Sequence, residues 1–154
     1  MEEPGWLCEA ELRAWQGFLG AGALLERCLD QQLREDAGLS HAQYEIMARL
    51  SAAPDGELRM TELADALYNS KSGLTYKITQ MESAGLVSRR ACPSDVRGIF
   101  ATLTDAGRKR LEEATPGHVA LVRELVMDVL TPDQIAALAE GFAEVSRRIV
   151  DREN

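Results

Sequence analysis

Apolar positions recur along this chain with a period that changes, and each change marks an element. Over residues 9–35, Leu12, Trp15, Leu19, Leu25, Leu29 and Leu33 return at spacings of three, four and six, which predicts one long amphipathic helix. Gly20 and Gly22 weaken it locally, and Gly38 ends it. A stripe this apolar does not stand in water by itself, so it is expected against the rest of the domain or against a second chain. Ser40 and Gln43 have the spacing of a capping box, and Tyr44, Ile46, Met47 and Leu50 follow as the inner face of a second helix, stopped by Pro54, Asp55 and Gly56.

The period then shortens. Glu57 to Met60 alternates polar and apolar residues, a brief strand, before Thr61 is expected to cap a third helix carrying Leu63, Ala64 and Leu67. After a break at Tyr68 and Asn69, Ser70 caps a fourth helix with Leu74, Ile78 and Met81 inward and Gly85 at its end, so the pair forms a helix-turn-helix. Leu86 to Ala91 and Ile99 to Leu103 predict the two strands of a hairpin, with Cys92 to Gly98 as a turn-rich connection. Thr104 caps a fifth helix that runs through Leu111 and is expected to be disturbed at Pro116 and Gly117. Val119, Val122, Leu125, Val126, Val129 and Leu130 resume a helical face. Thr131, Pro132 and Gln134 then start a last helix bearing Ile135, Leu138, Phe142, Val145 and Ile149. The fold class is therefore mainly α with a small β-wing: a winged helix-turn-helix between N- and C-terminal helices.

Composition narrows the class. At 154 residues, 45% hydrophobic and 5% aromatic, the chain suits one ordinary globular domain whose core needs neither disulfide nor metal to hold it. No run approaches the length of a membrane span, and the segment Met1, Glu2, Glu3, Pro4 is acidic through its two glutamates where a targeting segment would be basic, so a cytoplasmic protein without membrane attachment is expected. Cys8, Cys28 and Cys92 form no C-x-x-C pair, and His41 and His118 lie far apart in sequence, so no metal site is expected. No Ser/His/Asp order, phosphate loop or dinucleotide fingerprint occurs, and neither an enzyme nor a cofactor is expected.

A net charge of −8 argues at first against a nucleic-acid partner. Its distribution argues the other way. Residues 71–110 hold eight basic and three acidic residues, +5, while the other 114 hold nine basic and 22 acidic, −13. The basic segment coincides with the fourth helix and the hairpin, the two elements able to reach a duplex. With Leu74, Ile78 and Met81 inward, Ser72, Tyr76, Thr79 and Ser83 point outward and Thr75 lies at the flank, placed for base edges, while Ser70 and Lys71 reach phosphate at the helix N-terminus. A merely solvated face has the same periodicity; the charge partition and the hairpin favour DNA. Arg97 beside Gly98 suits a hairpin tip in a minor groove, with Asp95 holding its guanidinium, although a surface salt bridge would have the same sequence. Arg89 and Arg90 point to opposite faces of their strand, so one of them, Arg90, joins the DNA-binding set.

The fragments Leu39-Ser40-His41-Ala42-Gln43-Tyr44-Glu45-Ile46, Leu58-Arg59-Met60-Thr61-Glu62-Leu63-Ala64, Ser70-Lys71-Ser72-Gly73-Leu74-Thr75, Met81-Glu82-Ser83-Ala84-Gly85-Leu86-Val87, Asp95-Val96-Arg97-Gly98 and Leu103-Thr104-Asp105-Ala106-Gly107 follow one another in a set order. In that order and spacing the chain resembles the MarR (multiple-antibiotic-resistance regulator) family of bacterial transcription factors. The resemblance implies a homodimer, with residues 1–38 and 113–154 as dimerisation helices around a winged lobe at 39–112 in one integrated domain. It further implies repression at a palindromic operator in double-stranded DNA and release by a small anionic or phenolic effector. By position, Ser70, Lys71, Ser72, Thr75 and Tyr76 fall on the family's recognition helix, and Asp95 and Arg97 on its wing motif. Many relatives carry arginine where this chain has Tyr76 and Gln80, so a base preference does not transfer.

Some relatives sense peroxide through a cysteine near the start of the first helix, where this chain has Gln16. The thiols here are Cys8 ahead of that helix, Cys28 within it and expected to be buried, and Cys92 at the wing, where oxidation would disturb DNA contact. Trp15, Phe18, Tyr44 and Met47 are candidates to line a cleft between the dimer helices and the winged lobe, although aromatic residues at helical spacing are more often plain core. Two readings compete with the ligand-released repressor: a winged-helix protein-interaction module without specific DNA binding, and a thiol-based redox regulator.

Overall fold

Local capping chemistry sets most of the element boundaries. In the computed structural model, which describes residues 5–67 and 70–153, helix α1 (Glu9–Ala37) ends at Gly38 in the left-handed conformation, φ 65°. Helix α2 (His41–Ala52) opens on a reciprocal box: the Ser40 N–H donates to Gln43 Oε1 at 2.9 Å and the Gln43 N–H to Ser40 Oγ at 3.1 Å. Two compact units are distinguished, Met1–His118 and Val119–Asn154.

In the first unit, strand β1 (Glu57–Arg59) runs directly into α3 (Met60–Ala66). The cap of α3 is Arg59 and not Thr61. The Arg59 N–H donates to the Glu62 carboxylate at 3.1 Å, so the glutamate three positions on meets the first orphan donor and the threonine falls inside the helix. The expected break at Tyr68 and Asn69 lies outside the described residues. Helix α4 (Lys71–Ser83) follows, then β2 (Val87–Cys92), β3 (Asp95–Leu103) and α5 (Asp105–Val122). The sheet is antiparallel in the order β1-β3-β2, with Arg59 and Arg90 both opposite Phe100.

The core gathers Leu33 from α1, Leu39 before α2, Ile46, Met47 and Leu50 from α2, Leu63 from α3, and Leu74, Ile78 and Met81 from α4, all essentially without exposed surface. The positions predicted inward on α2 and α4 are thus the buried ones. Gly107 seals the α5–hairpin corner: a Cβ there would lie 2.0 Å from the Leu86 carbonyl oxygen. Thr104 caps α5 as expected, accepting from the Gly107 N–H at 3.0 Å while its hydroxyl donates to the Gly85 carbonyl at 2.6 Å.

Helix α5 continues through Pro116 and Gly117. Proline removes one hydrogen bond, the Thr115 hydroxyl donates to the Leu111 carbonyl at 2.7 Å, and Gly117 admits α1 so closely that a Cβ would stand 3.0 Å from Gln32 Nε2. Cys28, expected to be buried, is exposed, because it precedes Leu29 by one position and is turned roughly 100° from the inward line of Leu29 and Leu33. His41 and His118, far apart in sequence, meet with ring centroids 5.6 Å apart.

In the second unit, the irregularity expected at Pro116 falls later, at a π-helical segment, Arg123–Met127, closed by the Asp128 N–H donating to the Arg123 carbonyl at 2.8 Å. Helix α6 (Pro132–Glu153) starts on the predicted box, the Thr131 N–H donating to Gln134 Oε1 at 2.9 Å and the Gln134 N–H to Thr131 Oγ1 at 3.3 Å. It buries no residue within the single chain, and Leu138, Val145 and Ile149 stand exposed at helical spacing. Among the described residues, no helix is long and apolar enough to cross a membrane.

Candidate nucleic-acid interface

Helix α4 is fixed from below by Leu74, Ile78 and Met81 and at its start by Ser70, whose Oγ accepts from the Gly73 N–H at 3.2 Å. A Cβ at Gly73 would lie 2.9 Å from Ser70 Oγ, so a larger residue there would make the serine side chain shift. Lys71, Ser72, Thr75, Tyr76, Thr79, Gln80 and Ser83 are all exposed on the outer face. Three of the hydroxyls are already spent as donors: Thr75 donates to the Lys71 carbonyl and Thr79 to the Thr75 carbonyl, both at 2.8 Å, and Ser83 to the Thr79 carbonyl at 3.0 Å. Their lone pairs remain available outward, so in this arrangement they accept hydrogen bonds rather than donate them. Gln80 Nε2 donates to the Tyr76 hydroxyl at 3.0 Å, which joins the two side chains into one neutral platform on which Tyr76 is two-thirds exposed.

The wing differs from its expected form. The connection is not seven residues long; Pro93 and Ser94 form the turn, and Cys92 pairs with Asp95. The register then jumps, with Ala91 opposite Ile99, so Val96, Arg97 and Gly98 bulge from β3 without cross-strand partners. Arg97 therefore sits on a bulge beside the tip and not at it. Only glycine suits position 98, where a Cβ would come within 2.9 Å of Cys92 Cβ. Asp95 does not hold the Arg97 guanidinium: its Oδ1 accepts from the Arg97 backbone N–H at 3.0 Å, and its Oδ2 faces Arg59 at 3.7 Å. The Arg97 side chain makes no ion pair among the described residues.

Arg89 and Arg90 do point to opposite faces, and both are engaged. Arg89 clamps Glu82 of α4 through Nε at 3.0 Å and Nη2 at 2.7 Å, which holds the Glu82 carboxyl below the usual carboxylate range. Arg90 pairs in the same two-pronged way with Glu57 of β1 and lies 4.6 Å from the Phe100 ring centroid. Arg59, which the charge count over residues 71–110 passes over, flanks the same ring at 5.5 Å. Its place on the outer face of β1 was available from the alternation of Glu57 and Arg59 with Leu58 and Met60. A pocket of about 190 Å³ opens between wing and helices, with Arg59, Arg89 and Arg97 on its walls beside Thr61 and Thr75. Asp95 lines it too, and with Arg89 committed to Glu82 and Arg59 facing Asp95, Arg97 is the guanidinium left there to meet an anionic oxygen such as a backbone phosphate.

Cys92 is buried at the end of β2 with its Sγ 3.2 Å from Ser94 Oγ. The Ser94 hydroxyl, then the Ser94 backbone N–H, hold its thiol below the ordinary range, and Arg59 Nη2 donates to the sulfur at 3.6 Å. The four residues considered for a ligand cleft differ in burial. Trp15 and Phe18 stand half-exposed on α1 with ring centroids 6.0 Å apart, whereas Tyr44 and Met47 belong to the buried core, Tyr44 packing on His118 at 4.2 Å.

A three-stranded sheet whose hairpin projects beside a capped, outward-polar helix defines a winged helix-turn-helix protein. The family model described as MarR family matches residues 39–99. Sco3205, a MarR family transcriptional regulator from Streptomyces coelicolor crystallised in complex with DNA, is 42% identical with a TM-score of 0.89 over 95% of this chain and 91% of that one. AbsC, a MarR family transcriptional regulator from the same organism, is 37% identical with a TM-score of 0.90 over 96% and 99%. The HTH-type transcriptional repressor YetL of Bacillus subtilis is 36% identical over 85 residues, covering 55% of this chain and 51% of that one; the chain thus spans about half the length of such a relative. The chain belongs to the MarR family.

Proposed function

We propose that the protein is a homodimeric, sequence-specific DNA-binding regulator that represses transcription from a palindromic operator and is released by a small anionic or phenolic effector. The observation that carries the DNA-binding reading is the joint geometry of α4 and the wing. Ser72, Thr75, Tyr76 and Thr79 face outward to meet base edges, Ser70 and Lys71 lie at the helix start to meet phosphate, and Arg97 stands on a bulge without an ion-pair partner among the described residues. Sco3205 bound to DNA supports the partner. The exposed apolar stripes of α1 (Trp15, Leu19) and of α6 (Leu138, Val145, Ile149) support self-association. Repression and effector release rest on the family likeness, to which the name of YetL adds repression.

The test is selection of DNA fragments by the purified protein, followed by affinity measurements on the enriched and scrambled sequences over a range of salt. The expected product is an inverted repeat with half-sites about one helical turn apart, bound with an affinity that falls steeply as salt rises. Equal affinity for scrambled DNA would leave the neutral Tyr76–Gln80 platform as a protein-docking surface and the second reading, an interaction module, in place.

A further inference from the structure

Three helices of the first unit converge on a cluster that the DNA-binding reading does not use. His41 and Glu45 lie one turn apart on one face of α2, and His118 comes from α5. One ligand atom from each of His41, Glu45 and His118 lies within 4.8 Å of the others, His41 Nε2 standing 3.6 Å from Glu45 Oε1. From α1, Glu26 Oε2 approaches His41 Nδ1 to 2.7 Å. That contact directs the Nδ1 proton to a carboxylate and leaves Nε2 turned toward Glu45, as in the carboxylate–histidine–metal arrangement.

His118 supplies an independent observation. Its residue is 8% exposed, and its Nδ1 is one of two buried side-chain N or O atoms without a hydrogen-bond partner among the described residues. A buried polar atom left unpaired costs free energy, and a leucine between Tyr44 and His41 would fill the same space without that cost. An ion bound by the cluster would give the ring a partner.

We propose that His41, Glu45 and His118 bind one divalent transition-metal ion of the zinc class, with Glu26 orienting His41 as a positioning residue. Two imidazoles and one carboxylate suit zinc, cobalt or nickel rather than magnesium or calcium, which prefer all-oxygen shells. Ligands at about 2.0–2.1 Å from a tetrahedral centre stand about 3.3 Å apart, close to the 3.6 Å between His41 Nε2 and Glu45 Oε1, while a spacing at the 4.8 Å limit of the cluster has to shorten to hold an ion. Three protein ligands leave the fourth position open to water. The assignment goes beyond the DNA-binding reading and does not depend on it.

The experiment uses the full chain, stripped with chelator and then titrated with Co2+ and Zn2+ in the absence of DNA. The expected result is one ion per chain, a tetrahedral or five-coordinate cobalt absorption without thiolate charge-transfer bands, displacement of cobalt by zinc, and a melting temperature that rises with zinc but not with magnesium. Binding is expected to vanish in His41→Ala/Glu45→Gln and to weaken about tenfold to a hundredfold in Glu26→Gln, both of which leave the buried His118 in place. No bound ion, equal binding by the double variant, a thiolate signature from Cys8, Cys28 or Cys92, or magnesium bound as tightly as zinc would each overturn the proposal.

Discussion

Among the arginines of the wing, Arg89 and Arg90 are each committed to a carboxylate, whereas the Arg97 guanidinium has no ion-pair partner among the described residues. This separates their roles in a way that the neighbouring positions of Arg89 and Arg90 do not suggest. Arg97→Ala is expected to weaken operator binding by about 1–3 kcal/mol in an anisotropy titration, with little change in melting temperature. Arg90→Ala is expected to do the reverse, lowering the melting temperature by stranding Glu57 and uncovering Phe100 while changing affinity less. A larger affinity loss for Arg90→Ala than for Arg97→Ala would restore Arg90 as the direct contact. Gly107→Ala places a methyl group 2.0 Å from the Leu86 carbonyl and should cost about 3 kcal/mol, read by urea unfolding. The residues whose roles were legible in the sequence are those whose partners are local: Ser70 with the Gly73 N–H, Ser40 with Gln43, Thr131 with Gln134. His41 and His118 were not legible as neighbours, because the packing of α5 beside α1 and α2 brings them together across 77 residues of chain.

At the scale of elements, periodicity placed nearly every helix, and the departures fall where a long-range contact overrides a local preference. Pro116 marks no break because its helix is held on both sides of it, and the bulge at Val96–Gly98 depends on a register with β2 that no short window contains. The tie between α4 and β2 is the Glu82–Arg89 pair, with Glu82 also accepting the Arg89 backbone N–H at 3.2 Å. It sets the wing relative to the recognition helix. The Glu82 carboxyl is held below its ordinary range chiefly by the Arg89 guanidinium, so its folded pKa lies below its unfolded one. The stability it contributes is therefore fully present above the unfolded value of about 4.3 and is lost as pH falls through the folded value. Melting curves of the native protein and Glu82→Gln should differ at pH 7 and converge well below pH 4. A difference that persists unchanged into acid would show that the glutamine disturbs packing and not the ion pair.

Over the whole molecule, the net charge of −8 divides into +5 over residues 71–110 and −13 over the remainder, so on the proposed DNA-binding reading affinity depends on presenting the basic segment correctly and not on bulk attraction. Helix α6 leaves Leu138, Val145 and Ile149 exposed in the single chain, and a carboxylate in that stripe, Val145→Asp, is expected to give a monomer by light scattering and to lower operator affinity at fixed protomer concentration. Salt dependence connects the two properties. Each phosphate neutralised adds about 0.9 to the slope of log affinity against log salt, so a lysine used once by each protomer of a dimer accounts for about 1.8. Lys71 lies exposed in the first turn of α4, beside the Ser70 cap and clear of every carboxylate that forms an ion pair among the described residues. Lys71→Ala should therefore flatten the slope by about 1.8 on the palindrome and by about 0.9 on an isolated half-site, with the same fractional loss on related sequences. An unchanged slope would remove Lys71 from the phosphate contacts. A drop of about 0.9 on the full palindrome would mean that one recognition helix engages DNA at a time, which a symmetric dimer reading both half-sites does not allow.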